Sequence, residues 1–180
     1  GYNYAHACRF QMPNENGQLT KISLYVVDQW GGIKIRVAIY ADNNGVPGAL
    51  IAGQGATQSV SSGWNNFPLS APLTANTWYW FAWWGDRGGF TERCDAGSYL
   101  LHWNNQGSSA WINPFGSQGN DGKLTVSVYA TYTTTAMTVS ISPTSATIDL
   151  GQSKVFTSTV TGGTAPYSYQ WYRDGSPVSG

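Results

Sequence analysis

The chain consists largely of short runs in which apolar and polar residues alternate, separated by clusters of Gly, Asn and Pro. Alternation with a period of two places every second side chain on the same face of a β-strand, whereas an amphipathic helix repeats about every 3.6 residues. Residues 19–28, 33–41 and 123–132 show this alternation, so the pattern predicts strands there. The positions assigned to the core are Ile22, Leu24, Val26, Ile33, Ile35, Val37, Ile39, Leu124, Val126, Val128 and Ala130.

Residues 77–84 form a strongly aromatic run, Thr-Trp-Tyr-Trp-Phe-Ala-Trp-Trp. In a strand, its rings point to both faces, so one set fills a core and the other meets a second buried layer or forms an aromatic surface. We predict a central strand of a sandwich. The set predicted to pack in the core is Trp78, Trp80 and Trp84. The set predicted to face the opposite side is Tyr79 and Trp83.

About ten short strands joined by long loops indicate two packed antiparallel sheets. The predicted fold class is therefore all-β, with a jelly-roll-like antiparallel β-sandwich over residues 1–134. A short linker at residues 135–137 follows, and the pattern of strand-like and turn-like segments changes after it. Residues 138–180 are predicted to form a second, incomplete β-domain.

The strand order of this second domain matches strands A to C of an immunoglobulin (Ig)-like sandwich, with Trp171 at the place of the strand-C tryptophan. The run Gly-Gly-Thr-Ala-Pro-Tyr-Ser-Tyr-Gln-Trp-Tyr at residues 162–172 resembles the Ig-like repeats of archaeal and bacterial surface proteins. Seven strands need about 100 residues, so the resemblance implies half a sandwich. We expect either a piece of a longer protein or strands supplied by a neighbouring subunit, a homo-oligomer formed by strand complementation.

The low charge content of the chain argues against two kinds of binding function. Only 10% of the residues are charged, and the formal net charge is zero. Nucleic-acid binding needs clustered Lys and Arg, and attachment to an anionic membrane surface needs a polybasic segment, so neither is expected. The sequence contains no transmembrane run, and we expect no membrane insertion. Polar faces built from Ser, Thr, Asn, Gln and Gly are typical of extracellular or cell-surface β-proteins, which is the location we expect.

The two cysteines, Cys8 and Cys94, are predicted to form a disulfide bond, because a charge-poor extracellular chain folds in an oxidising compartment. The alternative is two unrelated buried thiols. Their number and spacing, together with two histidines, make no zinc signature.

Catalysis is not expected. The two histidines, His6 and His102, lie in strand-like segments, and nearly all carboxylates lie in turns, where Asp is favoured for backbone reasons. Only Glu92 with Asp86 or Asp95 could form a carboxylate cluster, and no nucleophile motif stands out, so we predict no enzyme and no required cofactor. Asp42 and Asn44, in the turn Asp-Asn-Asn-Gly, are the candidate ligands of a structural calcium ion. Turn chemistry is the competing explanation of that motif.

The larger domain also contains segments that resemble a known protein family. Its segments Arg-Phe-Gln-Met-Pro at 9–13, Arg-Val-Ala-Ile-Tyr-Ala-Asp at 36–42 and Leu-Thr-Ala-Asn-Thr-Trp-Tyr-Trp at 73–80 look like a prokaryotic family of secreted jelly-roll domains. Such domains recur beside Ig-like repeats in large extracellular proteins. The resemblance implies a sandwich similar to a carbohydrate-binding module, but a fold by itself does not supply a ligand.

Aromatic side chains are the candidate ligand-binding groups, because flat rings beside hydrogen-bonding groups suit the apolar faces and hydroxyls of sugars. The predicted ligand-binding residues are Tyr25, Tyr40, Trp83, Trp111 and Tyr129. Tyr25, Tyr40 and Tyr129 share the parity opposite to the core. Loop tryptophans offer a second platform: Trp30, Trp64, Trp103 and Trp111.

Two functions remain open. The first is a non-catalytic module that binds a polysaccharide. The second is a structural or adhesive subunit of an extracellular filament or surface array, in which the same aromatic residues contact neighbouring subunits.

Overall fold

The computed structural model describes residues 4–28, 31–88, 90–92, 94–107, 110–134 and 136–178. These residues form antiparallel sheets and no helix, which confirms the predicted all-β class and is consistent with a β-sandwich. The described residues therefore contain no helix of the length and apolar character that crossing a membrane requires. The chain divides into two compact units, residues 1–134 and 135–180.

The first unit contains two sheets. Its strands are β1 (Tyr4–Gln11), β2 (Gly17–Asp28), β3 (Lys34–Asn43), β4 (Val46–Gly53), β5 (Gln58–Ser59), β6 (Gly63–Leu73), β7 (Trp78–Gly85), β8 (Phe90–Glu92), β9 (Cys94–Asn105), β10 (Gly119–Val126) and β11 (Val128–Thr133). The large sheet has the order β10-β9-β1-β7-β3-β4, with β5 beside β3. The small sheet has the order β11-β2-β6, with β8 beside β2.

The main core joins the inner faces of the two sheets, as alternation predicts. Ile22, Leu24 and Val26 of the small sheet pack in one cluster with the apolar parity of β3. All these side chains are at most 1% exposed. The inward assignments for β2 and β3 are therefore confirmed.

The aromatic strand β7 is central to the large sheet, but the predicted set of inward rings is wrong. Trp83 lies opposite Val37 of β3, and directly opposed residues of neighbouring strands share a face. Trp83 therefore joins Tyr79 and Phe81 in the main core, at 1% exposure. Trp80 and Trp84 point to the outer face of the large sheet, where a second cluster buries them.

The single closing strand predicted at residues 123–132 is two strands. β10 pairs with β9 in the large sheet, whereas β11 pairs with β2 in the small sheet. The break at Ser127 carries the chain from one sheet to the other, and the Ser127 carbonyl accepts a hydrogen bond from the Tyr25 amide at 2.9 Å. Alternation continues through such a crossing, so periodicity does not reveal it.

The predicted disulfide between Cys8 and Cys94 is not seen in the described part of the structure. Cys8 lies on β1 and is buried in the main core. The neighbouring strand β9 begins at Cys94 but pairs with β1 through its other end, where Trp103 lies opposite His6. The side chain of Cys94 is outside the described residues.

The second unit contains two hairpins, β12 (Thr138–Ser142) with β13 (Thr157–Thr161) and β14 (Trp171–Arg173) with β15 (Ser176–Val178). None of its described residues is buried. Apolar side chains such as Val139 and Val155 stay 57% and 76% exposed. Its described residues thus do not enclose a core.

Candidate functional site

Three aromatic side chains meet on the outer face of the small sheet: Tyr25 of β2, Trp64 of β6 and Tyr129 of β11. We call them the aromatic strip. The register places Trp64 directly opposite Tyr25. The Trp64 ring lies 5.4 Å from that of Tyr25 and 5.0 Å from that of Tyr129, at interplanar angles of 88° and 62°. Trp64 is 51% exposed and Tyr129 is 45% exposed, so the strip presents ring surface to solvent.

Polar groups border the strip on the same face. Ser23 lies opposite both Asn66 of β6 and Tyr129 of β11 in the register. The buried Ser23 hydroxyl donates a hydrogen bond of 2.7 Å to the Asn66 side-chain carbonyl. This bond holds the exposed Asn66 carboxamide beside the rings, where it supplies hydrogen-bonding capacity next to apolar surface.

The outer face of the large sheet is covered by residues 110–118, which we call the cap segment. Small side chains leave room for it: Ala5, Ala7, Ala38 and Ala82 are fully buried in the cluster beneath. The rings of Trp111 and Phe115 fill this space and join that cluster.

Hydrogen bonds fasten the cap segment to the sheet. The Tyr40 hydroxyl donates to the Ile112 carbonyl at 2.9 Å, and the Trp111 indole donates to the Gln54 carbonyl at 3.0 Å. The Phe115 amide donates to the Gly48 carbonyl at 2.8 Å. The cap segment is therefore an integral part of the sandwich.

The structure separates the predicted ligand-binding residues. Tyr25 and Tyr129 come together in the aromatic strip. The expectation that Tyr40 and Trp83 lie on an exposed face is wrong, because they are 0% and 1% exposed. Trp111 is only 8% exposed. Packing of the cap segment on the large sheet buries Tyr40 and Trp111, and packing in the main core buries Trp83.

Sequence reasoning placed Trp64 among loop residues, whereas it is the middle ring of the strip. The alternation of Trp64, Asn66 and Pro68 indicates outward positions, but neither segment by itself predicts that β2 pairs with β6. Trp103 packs against Tyr4 on the large sheet, with ring centroids 5.1 Å apart. Trp30 lies outside the described residues.

The predicted calcium ligand Asp42 serves as a hydrogen-bond acceptor. Its Oδ1 accepts from the Trp80 indole at 2.8 Å, and its Oδ2 accepts from Arg9 at 2.9 Å and from the Gly45 amide at 3.2 Å. Burial raises the pKa of Asp42, but these hydrogen bonds and the Arg9 charge outweigh it and hold the pKa below its ordinary value.

Asn44 adopts the left-handed conformation, with φ of 52°, as a turn residue. Among the described residues, no group of three His, Cys, Asp or Glu side chains is placed to hold a metal ion. The contacts of Asp42 and the backbone of Asn44 therefore support the turn explanation of this motif.

His102 lies buried near the cap segment. Its Nδ1 is 2.6 Å from the Ser117 hydroxyl, which donates to the Gly119 carbonyl at 2.9 Å, so Nδ1 acts as the donor to Ser117. The His102 ring also packs edge-on against Trp80, with centroids 5.0 Å apart. Burial lowers the pKa of His102. These contacts give the imidazole a structural role.

Comparisons with protein-family models, curated proteins and solved structures return no match for this chain.

Proposed function

We propose that the first unit is a non-catalytic saccharide-binding module of an extracellular or cell-surface protein and that it binds through the aromatic strip. The observation that carries this proposal is the exposed ring contact between Trp64 and Tyr129 beside the oriented Asn66 carboxamide. Sugar rings offer apolar C–H faces and a rim of hydroxyls, so they match indole surface bordered by amide groups.

The angles between the rings favour a particular kind of saccharide. Trp64 meets both tyrosines edge-on rather than in one plane. A flat crystalline polysaccharide needs coplanar rings, whereas this strip offers ring surfaces in different orientations. We therefore propose a soluble chain or chain end, of which one or two sugar units contact Trp64.

The test uses the full chain in affinity electrophoresis and isothermal titration against soluble neutral polysaccharides. Trp64→Ala and Tyr129→Ala are expected to weaken binding by about tenfold or more, equivalent to about 1.4 kcal/mol. Tyr172→Ala is the matched control, because Tyr172 is a 64% exposed tyrosine of the second unit. Binding that survives both strip variants would place the saccharide elsewhere, and no binding to the panel would contradict the proposal.

A second candidate function is a structural subunit of a filament or surface array. The observation that favours it is the second unit, in which none of the described apolar side chains is buried and several are exposed, including Val139 at 57% and Ile141 at 46%. Two hairpins with open edges are suited to strand addition from a second copy of the chain.

Light scattering at rising protein concentration tests this alternative. Assembly is expected for the natural chain and is expected to be lost in Ile141→Asp, whereas Thr159→Asp on the partner strand β13 is the control for charge. A monomer at all concentrations contradicts the structural function. It leaves the saccharide proposal intact, because that proposal concerns the first unit.

A further inference from the structure

A single lysine, Lys21, lies on the same sheet face as the aromatic strip. On β2 it precedes Ser23 and Tyr25 by two and four residues, and side chains at such spacings leave one face of a strand. The pairing of β2 with β6 is regular from Lys21, opposite Pro68, to Tyr25. On the other side of β2, Lys21 lies opposite Thr131 of β11. Lys21 therefore belongs to the surface that presents the rings.

The position of Lys21 brings it close to the polar end of the strip. Tyr129 of β11 and Asn66 of β6 both lie opposite Ser23, which is two residues farther along β2. Each is thus a diagonal neighbour of Lys21. Diagonal neighbours in antiparallel strands are roughly 7–8 Å apart, within reach of long side chains. A saccharide that rests on Tyr129 and extends along the sheet therefore comes within reach of the Lys21 ammonium.

The charge of Lys21 is uncompensated. Among the described residues, no carboxylate forms an ion pair with the Lys21 ammonium, and the ammonium donates no hydrogen bond. Lys21 is half-buried, and a lysine of that kind packs its stem on the protein and keeps its ammonium in water. Its outward neighbours in the register are uncharged: Thr131, Pro68, Ser23, Asn66 and Tyr129.

An unpaired cation beside exposed rings favours a saccharide that carries negative charge. The rings offer apolar surface to the C–H faces of neutral and acidic sugars alike. The ammonium adds attraction only where the ligand bears an anionic group. A lysine ammonium is a compact point charge, so it accepts a carboxylate or a sulfate group without the planar fit that an arginine fork requires.

We propose that the aromatic strip and Lys21 together bind an acidic polysaccharide. One sugar unit contacts the rings, and a carboxylate or sulfate group on a neighbouring unit contacts the Lys21 ammonium. This assignment rests on the proposed saccharide binding by the strip and names the class of saccharide. The contact is a partly exposed ion pair, so an acidic chain is expected to bind about three- to fivefold more tightly than an uncharged chain of the same backbone.

Isothermal titration of the full chain with dextran, carboxymethyl-dextran and dextran sulfate tests this assignment, because the three polymers share a backbone and differ in charge. Fully methyl-esterified and de-esterified galacturonan give the same comparison on a second backbone. At about 20 mM salt, at least one acidic form is expected to bind about three- to fivefold more tightly than its neutral counterpart. This advantage is expected to vanish near 1 M salt, where the screening length falls to about 3 Å.

The two acidic dextrans identify the anionic group. A preference for the carboxymethyl form alone identifies a carboxylate, and a preference for the sulfated form alone identifies a sulfate ester.

Variants at two lysines locate the charge effect. Lys21→Gln keeps a polar stem and removes the charge, so it is expected to bring the acidic forms to the affinity of the neutral form. Lys21→Glu is expected to make the acidic forms bind more weakly than the neutral form. Lys123→Gln is the matched control, because Lys123 is an exposed lysine of β10 in the large sheet, and it is expected to keep the full preference. Trp64→Ala is expected to weaken binding of acidic and neutral forms alike.

Circular dichroism verifies the fold of each variant, and Lys21→Glu decides the question if Lys21→Gln does not fold. Acidic forms that bind no more tightly than their neutral counterparts overturn the role of Lys21 and leave saccharide binding by the strip intact. A preference that survives Lys21→Gln, or that Lys123→Gln removes equally, has the same consequence. Undiminished binding of every form in Trp64→Ala contradicts binding by the strip itself, and the role of Lys21 falls with it.

Discussion

Replacing Phe115 by alanine tests whether the cap segment belongs to the folded core. Phe115 is fully buried, and its ring meets that of Tyr40 edge-on, with centroids 5.2 Å apart. The Phe115→Ala change removes the buried ring and leaves a cavity above Tyr40. We expect the free energy of unfolding to fall by about 3–5 kcal/mol. That loss is a large part of the roughly 5–15 kcal/mol that stabilises a typical domain.

Urea unfolding of the full chain, followed by far-ultraviolet circular dichroism and by tryptophan fluorescence, measures this loss. Tyr129→Ala is the control on the exposed face and is expected to change the free energy of unfolding by less than about 1 kcal/mol. If the cap segment opens before the sheets, the fluorescence of Trp111 and Trp84 shifts at a lower urea concentration than the dichroism signal. A loss below about 1 kcal/mol for Phe115→Ala would show that the cap segment does not pack on the sheet in solution.

Three further predictions concern stability. Asp42→Asn is expected to lower the free energy of unfolding by about 2 kcal/mol in urea titrations, because it weakens charged hydrogen bonds such as that from Trp80. Because the pKa of Asp42 is lowered in the folded protein, its contribution is present above about pH 4 and is lost as the pH falls, which acid titration of both proteins measures. Burial also lowers the pKa of His102, so thermal melts should show stability falling as the pH drops below about 6.5. His102→Gln should reduce this pH dependence, and an unchanged profile in the variant would contradict the prediction. Gly53→Ala is expected to lower the free energy of unfolding by about 1–3 kcal/mol, because the added Cβ overlaps the Trp111 indole, and a neutral effect in urea titrations would show that the indole lies elsewhere.

Alternation predicted the inner faces of β2 and β3 because those strands have one strongly apolar parity. The apolar set containing Ile35 and Val37 has a partly polar counterpart containing Lys34 and Arg36. Only one face of such a strand suits the main core, and the structure places it there. Local sequence therefore carries enough information for these strands.

The same reasoning failed for β7 because both of its parities are aromatic. Which set enters the main core depends on register, and register depends on strands that are distant in the chain. The pairing of Val37 with Trp83 decides it. The outward parity of Tyr40 was predicted correctly, but its exposure was not, because the covering carbonyl of Ile112 comes from a distant segment.

The candidate site was likewise only partly predictable from the sequence. Tyr25 and Tyr129 could be predicted as outward aromatic residues from their own strands. Trp64 could not be placed between them, since that requires the order of β11, β2 and β6 in the small sheet. The contact of Arg36 with the Trp111 ring likewise requires the cap segment to bring Trp111 over β3.

The sequence by itself determined the all-β class and the inner faces of strands such as β2 and β3, because these follow from local alternation and turn residues. Tertiary structure decided which faces are covered. The outer face of the large sheet is buried because small alanines let Trp111 and Phe115 pack on it. The outer face of the small sheet keeps Trp64 and Tyr129 exposed. Exposure depends on contacts between segments far apart in the chain, which the periodicity of a single strand does not encode.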